Sequence, residues 1–176
     1  MKLKEVLQGR FLNHPLHPIL VTLPIGLWVT SVIFDIASLV TDVPARGNIY
    51  LQVSFYCLLV GVLAAVPAVV TGLAEFSDIP ANTRPRMIAK THMTLNILLF
   101  LGYVIQLTVR DDTFRTAPSV SPGVFILNLI EVAVLMVSGY LGGTMAYKYR
   151  QQDAPRNVRQ LASLRPRALF LDWNTI

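Results

Sequence analysis

The chain has 176 residues, of which 53% are hydrophobic and only 14% are charged, and its formal net charge is +5. Soluble domains are usually about 45–50% apolar and about 25% charged, so this composition favours a membrane protein over a soluble domain. Cys57 is the only cysteine, which excludes a disulfide framework and a CxxC metal or redox motif.

Four apolar segments follow one another along the chain, at residues 19–40, 50–71, 91–109 and 123–147. Each is long enough for a helix to cross a hydrocarbon core of about 30 Å. Short polar connections separate the segments. The sequence therefore predicts an all-α integral membrane protein, with an up-down-up-down four-helix bundle over residues 1–150 and a basic tail over residues 151–176.

Lysine and arginine are distributed unevenly between the two sides of this predicted bundle. Three of them, Arg46, Arg110 and Arg115, lie in the two connections opposite the N-terminus, and the other twelve lie on the N-terminal side. Cytoplasmic loops carry an excess of Lys and Arg, so this distribution predicts that both termini and the basic tail are cytoplasmic.

Each apolar segment has one face of small and polar residues at steps of three and four. In chain order these faces are His17, Val21, Pro24, Trp28, Ser31, Asp35 and Ser38; Ser54, Cys57, Gly61, Ala64, Ala68, Thr71 and Glu75; His92, Asn96, Leu99, Tyr103 and Gln106; and Asn128, Glu131, Leu135, Ser138, Gly142, Met145 and Tyr149. Small and polar residues mark the packed faces of membrane helices, so we expect these faces to meet inside the bundle. Pro24 and Pro67 are expected to kink their helices.

The three histidines lie at the N-terminal side of the predicted spans. His14 and His17 precede the first apolar segment, and His92 lies at the start of the third. A bis-histidine b-type haem needs one imidazole from each of two facing helices and room for a flat macrocycle. His17 and His92 are therefore the candidate ligands of a haem iron, with His14 as the alternative.

Other residues of the same side fit this hypothesis. Asn96 lies one helical turn from His92 and would orient it, while Gly142 and Gly143 would admit the macrocycle. Two alternatives stay open. The three histidines could hold a metal ion, with Glu75 as a further ligand, or they could serve only as hydrogen-bonding residues at the membrane boundary.

Two carboxylates, Asp35 and Glu131, lie at similar height in the other half of the membrane. Intramembrane carboxylates cost about 2.5–3.5 kcal/mol on insertion scales and mark function or pairing. They are candidate proton-handling residues, and Tyr103, Gln106 and Asn128 would complete their network. The alternative is that Asp35 reaches the interface while Glu131 is protonated and hydrogen-bonded between helices.

Several short motifs occur in this framework. They are residues 14–21 (HPLHPILV), 23–28 (LPIGLW), 34–35 (FD), 90–92 (KTH) followed by Asn96, and 141–143 (LGG) followed by Tyr147. In these motifs the chain resembles the bacterial membrane-protein family called domain of unknown function 2231, over residues 13–150. The resemblance implies a multi-pass protein of the bacterial cytoplasmic membrane with four spans and no assigned activity. The family positions that it carries over are His14, His17, Asp35, His92, Asn96, Gly142 and Gly143.

The resemblance also suggests electron transfer, because some relatives look fused to, or encoded with, Rieske-type or other redox modules. The chain departs from the family pattern at the end of the fourth span. Thr144 takes a position that often holds Glu or His, and residues 148–150 (KYR) replace a Gly-rich end. This departure argues against a role for an additional carboxylate or histidine there.

These observations favour a membrane subunit of a redox or photosynthetic electron-transfer assembly, with b-type haem bound by histidines near the cytoplasmic face. One alternative is a cofactor-free accessory subunit that stabilises a larger complex, and another is a membrane protein that handles metal ions or protons. The sequence has no Gly-rich phosphate loop, nucleophile elbow or HExxH motif, which argues against an enzyme acting by itself. The expected partners are the lipid bilayer and other membrane subunits or a redox partner. The basic residues lie next to the spans and do not indicate nucleic acid.

Overall fold

The computed structural model of the chain describes residues 2–12, 14–41 and 47–149. Its helices are α1 (Leu3–Leu7), α2 (Leu16–Leu20), α3 (Thr22–Val40), α4 (Ile49–Phe76), α5 (Arg84–Arg110) and α6 (Pro122–Thr144), with a 3-10 turn at Arg10–Leu12 and a π-helical turn at Met145–Tyr149. Four stretches are long and apolar enough to cross a membrane, namely Leu16–Val40, Ile49–Phe76, Arg84–Arg110 and Pro122–Tyr149. The prediction of an all-α four-helix membrane bundle is confirmed.

The orientation of this bundle stays a prediction, and the predicted basic tail, residues 151–176, lies outside the described residues. The four membrane-crossing stretches are longer than the predicted apolar segments, and the largest difference concerns α5, which begins at Arg84 rather than at residue 91. Pro85 occupies the first turn of α5, where a missing N–H costs nothing. Thr83 caps this helix by accepting a hydrogen bond from the Arg86 amide at 3.3 Å.

Neighbouring helices pack in a closed ring. α3 contacts α4, α4 contacts α5, α5 contacts α6, and α6 contacts α3. Successive spans run in opposite directions, so α3 and α5 run parallel to each other across a diagonal of the bundle.

Three side-chain pairs join α2 and α3 to α5 along this diagonal. They are the histidine pair, His17 with His92; the aromatic pair, Trp28 with Tyr103, whose rings stack with centroids 4.2 Å apart; and the ion pair, Asp35 with Arg110. The partners in each pair are 75 residues apart in the chain. The two diagonal helices therefore keep the same register along their whole length. We call the end of the bundle that holds the histidine pair the histidine end, and the opposite end the ion-pair end.

The two intrahelical prolines act differently. The first span is interrupted at Val21, between α2 and α3. Pro24 has no N–H to donate to the carbonyl of residue 20, which accounts for a break one turn before the proline. The kink predicted for Pro24 thus corresponds to an observed interruption, whereas α4 continues as one helix through Pro67.

Apolar side chains lie both inside and outside the bundle. Leu58, Leu99 and Leu135 are buried around the aromatic pair, and Trp28 lies against Gly61, where an added Cβ would come within 2.4 Å of the indole nitrogen. Leu63, on the outside, is among many large apolar residues that are more than half exposed. Such an exterior suits lipid, which does not penalise exposed apolar surface.

The N-terminal segment docks on the end of α4 through Asp78. Lys4 and Gln8 donate hydrogen bonds to the Asp78 carboxylate, the latter at 2.6 Å, and Arg10 lies 3.3 Å from it. Gln8 also donates to the Ala74 carbonyl at 2.9 Å. The chain turns back at Gly9, whose φ of +68° favours glycine.

The docking of this segment is expected to survive mild acidification. Hydrogen bonds from Lys4 and Gln8, together with the positive charges of Lys4 and Arg10, lower the pKa of Asp78 below its ordinary value. A lowered pKa means that the stabilisation is complete above the ordinary value and is lost as the pH falls through the lowered one. A spin label at a cysteine replacing Leu3, in a Cys57→Ala background, should therefore gain mobility only in strong acid.

Asp78→Asn should give a label that is mobile at every pH, while Asp112→Asn, an exposed change at the ion-pair end, should leave the transition unchanged. A label that becomes mobile close to neutral pH in the unsubstituted chain would contradict this account.

Candidate functional site

The histidine pair is held by backbone carbonyl groups. Nδ1 of His17 lies 2.7 Å from the Ala68 oxygen on α4, and Nδ1 of His92 lies 2.8 Å from the Ser138 oxygen on α6. A carbonyl oxygen can only accept, so each Nδ1 carries the hydrogen and donates it. In the neutral imidazole the lone pair is then on Nε2, which is the arrangement common in metal-binding histidines.

The two rings are close and nearly perpendicular. Their centroids are 6.4 Å apart and their planes meet at 86°. Two imidazoles that bind one metal ion from opposite sides, with metal–nitrogen bonds of about 2 Å, have centroids roughly 6 Å apart. The spacing of His17 and His92 thus matches that of two ligands on one ion.

Glycines make room for both rings. A Cβ on Gly72 would lie 2.9 Å from Cε1 and Nδ1 of His17, and a Cβ on Gly142 would lie 3.0 Å from Cε1 of His92. Each histidine therefore rests against helix backbone where a glycine is placed, one on α4 and one on α6. Gly143 has open space around its Cα, with nothing within 4 Å of an added Cβ.

Asn96 links His92 to α6. Its amide donates to the His92 carbonyl and to the Ser138 hydroxyl, both at 2.7 Å. These two bonds use both N–H groups of the amide, so its longer approaches to the His92 ring, at 3.2 and 3.4 Å, are not its main hydrogen bonds. Asn96 thus fixes the backbone and the helix contact around His92.

His14 is placed differently from the other two histidines. Its ring is exposed and its Nδ1 lies 3.0 Å from the Leu12 carbonyl, in its own segment. Over the described ranges, no three or more His, Cys, Asp or Glu side chains are grouped so as to hold a metal ion. The geometry therefore brings two of the three imidazoles close together.

The ion-pair end holds a separate, buried polar network. Arg110 binds Asp35 through two parallel hydrogen bonds of 2.8 Å, with both side chains at most 2% exposed. Ser54 donates to one Asp35 oxygen at 2.6 Å, and Asn128 donates to the other at 2.8 Å. Both oxygens of Asp35 are thus fully hydrogen-bonded by a cation and two neutral donors.

Glu131 lies at the other side of this network. It accepts a hydrogen bond from the Gln106 amide, whose oxygen accepts from Arg110 at 2.7 and 3.0 Å. Asp35 and Glu131 are therefore connected through Arg110 and Gln106 rather than by a shared proton. Gly102 allows the Glu131 carboxyl to lie against α5, since a Cβ there would come within 2.3 Å of Oε1.

Sequence reasoning placed Arg110 in a connection and so missed the partner of Asp35. The missed signal is its position on the face of the third segment, four residues after Gln106. Gly72 and the carbonyls of Ala68 and Ser138 were also missed, and backbone carbonyls have no sequence signature.

The model of the family described as "Predicted membrane protein (DUF2231)" matches residues 13–155. The chain belongs to this family. Comparison with curated proteins and with solved structures finds no match. The DUF2231 match includes both histidines of the pair, the ion pair and all four spans, so the histidine end and the ion-pair end both lie within the family region.

Proposed function

We propose that this DUF2231 protein is a membrane redox subunit that binds one b-type haem between His17 and His92. The observation that carries the proposal is the histidine pair itself. Two imidazoles on diagonal helices have centroids 6.4 Å apart, and each donates from Nδ1 to a backbone carbonyl. Bound haem would supply reversible one-electron transfer.

The donor set favours haem over a bare metal ion. A porphyrin supplies four nitrogen ligands, so the protein needs to supply only two axial ones. A structural or catalytic ion such as zinc takes three or four ligands from the protein. Two imidazoles with Nε2 as the remaining nitrogen are the set that haem requires.

The residues around the pair have defined tasks in this proposal. The Ala68 and Ser138 carbonyls would fix the ring orientation and the tautomer of the two ligands, and Asn96 would hold the backbone of His92 against α6. Gly72 on α4 and Gly142 on α6 would allow the two rings to lie directly against the helix backbones. His14 would have no ligand role, because its ring is exposed.

The site lies at the end of the bundle where the described chain begins and ends. The excess of Lys and Arg on that side supports assigning it to the cytoplasmic face. We therefore propose that electrons are exchanged with a partner at the cytoplasmic side of a bacterial inner membrane.

The deciding experiment is a reduced-minus-oxidised visible spectrum of the detergent-purified protein, expressed with haem available, with iron analysis of the same sample. Sharp b-type bands at close to one haem per chain are expected. A featureless spectrum without bound metal would overturn the proposal and favour a cofactor-free accessory subunit.

Filling the space beside the rings is expected to weaken haem binding. Gly72→Ala would displace the His17 ring, and Gly142→Ala would displace the His92 ring by less, because its contact is slightly longer. Overpacking costs about 1–3 kcal/mol, which corresponds to a loss of affinity between about fivefold and about 150-fold. Haem titration of the apoprotein measures this loss.

Gly139→Ala is the matched control for these two variants. It adds the same methyl group and the same gain in helix propensity, but nothing lies within 4 Å of its Cβ. Equal haem affinity in all three variants would show that the glycines do not shape the site.

A further inference from the structure

We propose that Glu131 is a buried proton-binding site, protonated in the resting protein and exchanging its proton with water, while Asp35 remains ionised. This inference is independent of the haem proposal, since it concerns the polar network of the ion-pair end rather than the histidine end. It assigns different protonation states to the two carboxyl groups, which the sequence offered together as candidate proton-handling residues.

The hydrogen bonds of Arg110 leave Glu131 without a cationic partner. Arginine has five N–H donors, and Arg110 makes five hydrogen bonds, which go to Asp35, Ser54 and Gln106. None of its donors goes to Glu131. The charge of Arg110 is therefore matched by Asp35, and an ionised Glu131 would add an uncompensated negative charge to a layer that is almost completely buried.

The hydrogen bonds of Glu131 itself also favour a protonated carboxyl group. Its Oε2 accepts from Gln106, but its Oε1 has no partner in the part of the chain that the structure describes. The same holds for the Tyr103 hydroxyl and for Oδ1 of Asn128, and both of these residues are fully buried. The Asn128 oxygen can only accept, whereas the Tyr103 hydroxyl can accept or donate. A carboxylate would add one more acceptor to this set, whereas a protonated Oε1 supplies a donor.

Unpartnered polar atoms of the aromatic pair would bind the water that exchanges the proton. The indole N–H of Trp28 also has no partner among the described residues, and Trp28 stacks directly on Tyr103. Unpartnered buried donors and acceptors within about two helical turns are the usual surroundings of bound water. Such water would serve these atoms and carry the proton to and from Glu131.

The titratable and charged groups facing Glu131 are few. α5 contributes Tyr103 and Arg110, α3 contributes Asp35, and α4 contributes only the uncharged Ser54 to the network. Within this described network, a signal from a protonated carboxyl group is thus expected from Glu131 alone, because Asp35 is paired with Arg110.

Infrared spectroscopy of the protein reconstituted in phosphatidylcholine vesicles at neutral pH tests the proposal. We expect the carbonyl stretch of a protonated carboxylic acid in the unsubstituted protein, its loss in Glu131→Gln, and its shift to lower frequency in D2O. Absence of the band, its survival in Glu131→Gln, or an unchanged frequency in D2O would each overturn the proposal.

Three further variants test whether the band arises from Glu131. The double variant Asp35→Asn with Arg110→Gln replaces the ion pair by neutral amides and should retain the band, whereas its loss there would assign the proton to Asp35. Gly102→Ala should shift the band, because the added Cβ displaces the Glu131 carboxyl. Gly139→Ala, which meets no neighbour, should leave it unchanged.

Discussion

Replacing His92 by alanine is expected to abolish the haem bands of the purified protein while leaving it inserted and helical. The substitution would remove one of the two nitrogens proposed to bind the haem iron, while the Asn96 amide keeps its bonds to the residue 92 carbonyl and to Ser138. His17→Ala should have the same effect. Visible spectra, with circular dichroism and size-exclusion profiles of the same samples, measure both outcomes.

His14→Ala is the matched control, because it removes an imidazole three residues from His17 that is exposed and bonded only to its own segment. It should retain full haem content. Free imidazole should partly restore the bands in His92→Ala by occupying the space of the lost ring. Full haem content in either His17→Ala or His92→Ala would remove that residue from the ligand set.

The second large effect is expected at the ion pair. Asp35→Asn leaves the Arg110 guanidinium buried without a counter-charge, and Arg110→Gln does the same to the carboxylate. Breaking a buried pair in this way costs about 3–5 kcal/mol, whereas neutralising both partners costs much less. We expect each single variant to unfold at a much lower temperature in detergent, and the double variant to regain most of the loss.

Asp112→Asn is the control for this series, since it makes the same chemical change on an exposed side chain two residues beyond Arg110. Its effect on the free energy of unfolding should stay within about 0.5 kcal/mol. Additive losses in the double variant would show that Asp35 and Arg110 do not act as a pair.

Much of this fold can be predicted from the sequence, because the small and polar residues of a membrane span face the other helices rather than lipid. The face predicted for the first span contains every buried residue of α3, from Pro24 to Ser38. The fourth face was equally well predicted and contains every buried residue of α6, whereas the third contains Leu99, Tyr103 and Gln106 but omits the buried Ala89 and Arg110. The face of α4 was predicted less well, since Leu51, Phe55, Leu58 and Val62 are buried but are neither small nor polar.

The candidate sites could be predicted only in part, because the end of an apolar segment in the sequence need not be the end of the helix. Ending the third span at residue 109 placed Arg110 in a connection, although the helix continues and buries that guanidinium. The histidine pair was predicted from helix direction alone. Its hydrogen-bond partners are backbone carbonyls, which depend on the rotation of α4 and α6 and therefore on the packed structure.

The constant register along the diagonal limits how the chain length can change. Successive residues on a helix point more than a quarter of a turn apart. One residue inserted between Trp28 and Asp35 would therefore turn the carboxylate away from Arg110 while the histidine pair stayed in place. An insertion in the connection between α4 and α5 would leave all three pairs aligned. Length variation in this bundle should thus be confined to its connections, and the two diagonal helices should keep a fixed count of residues.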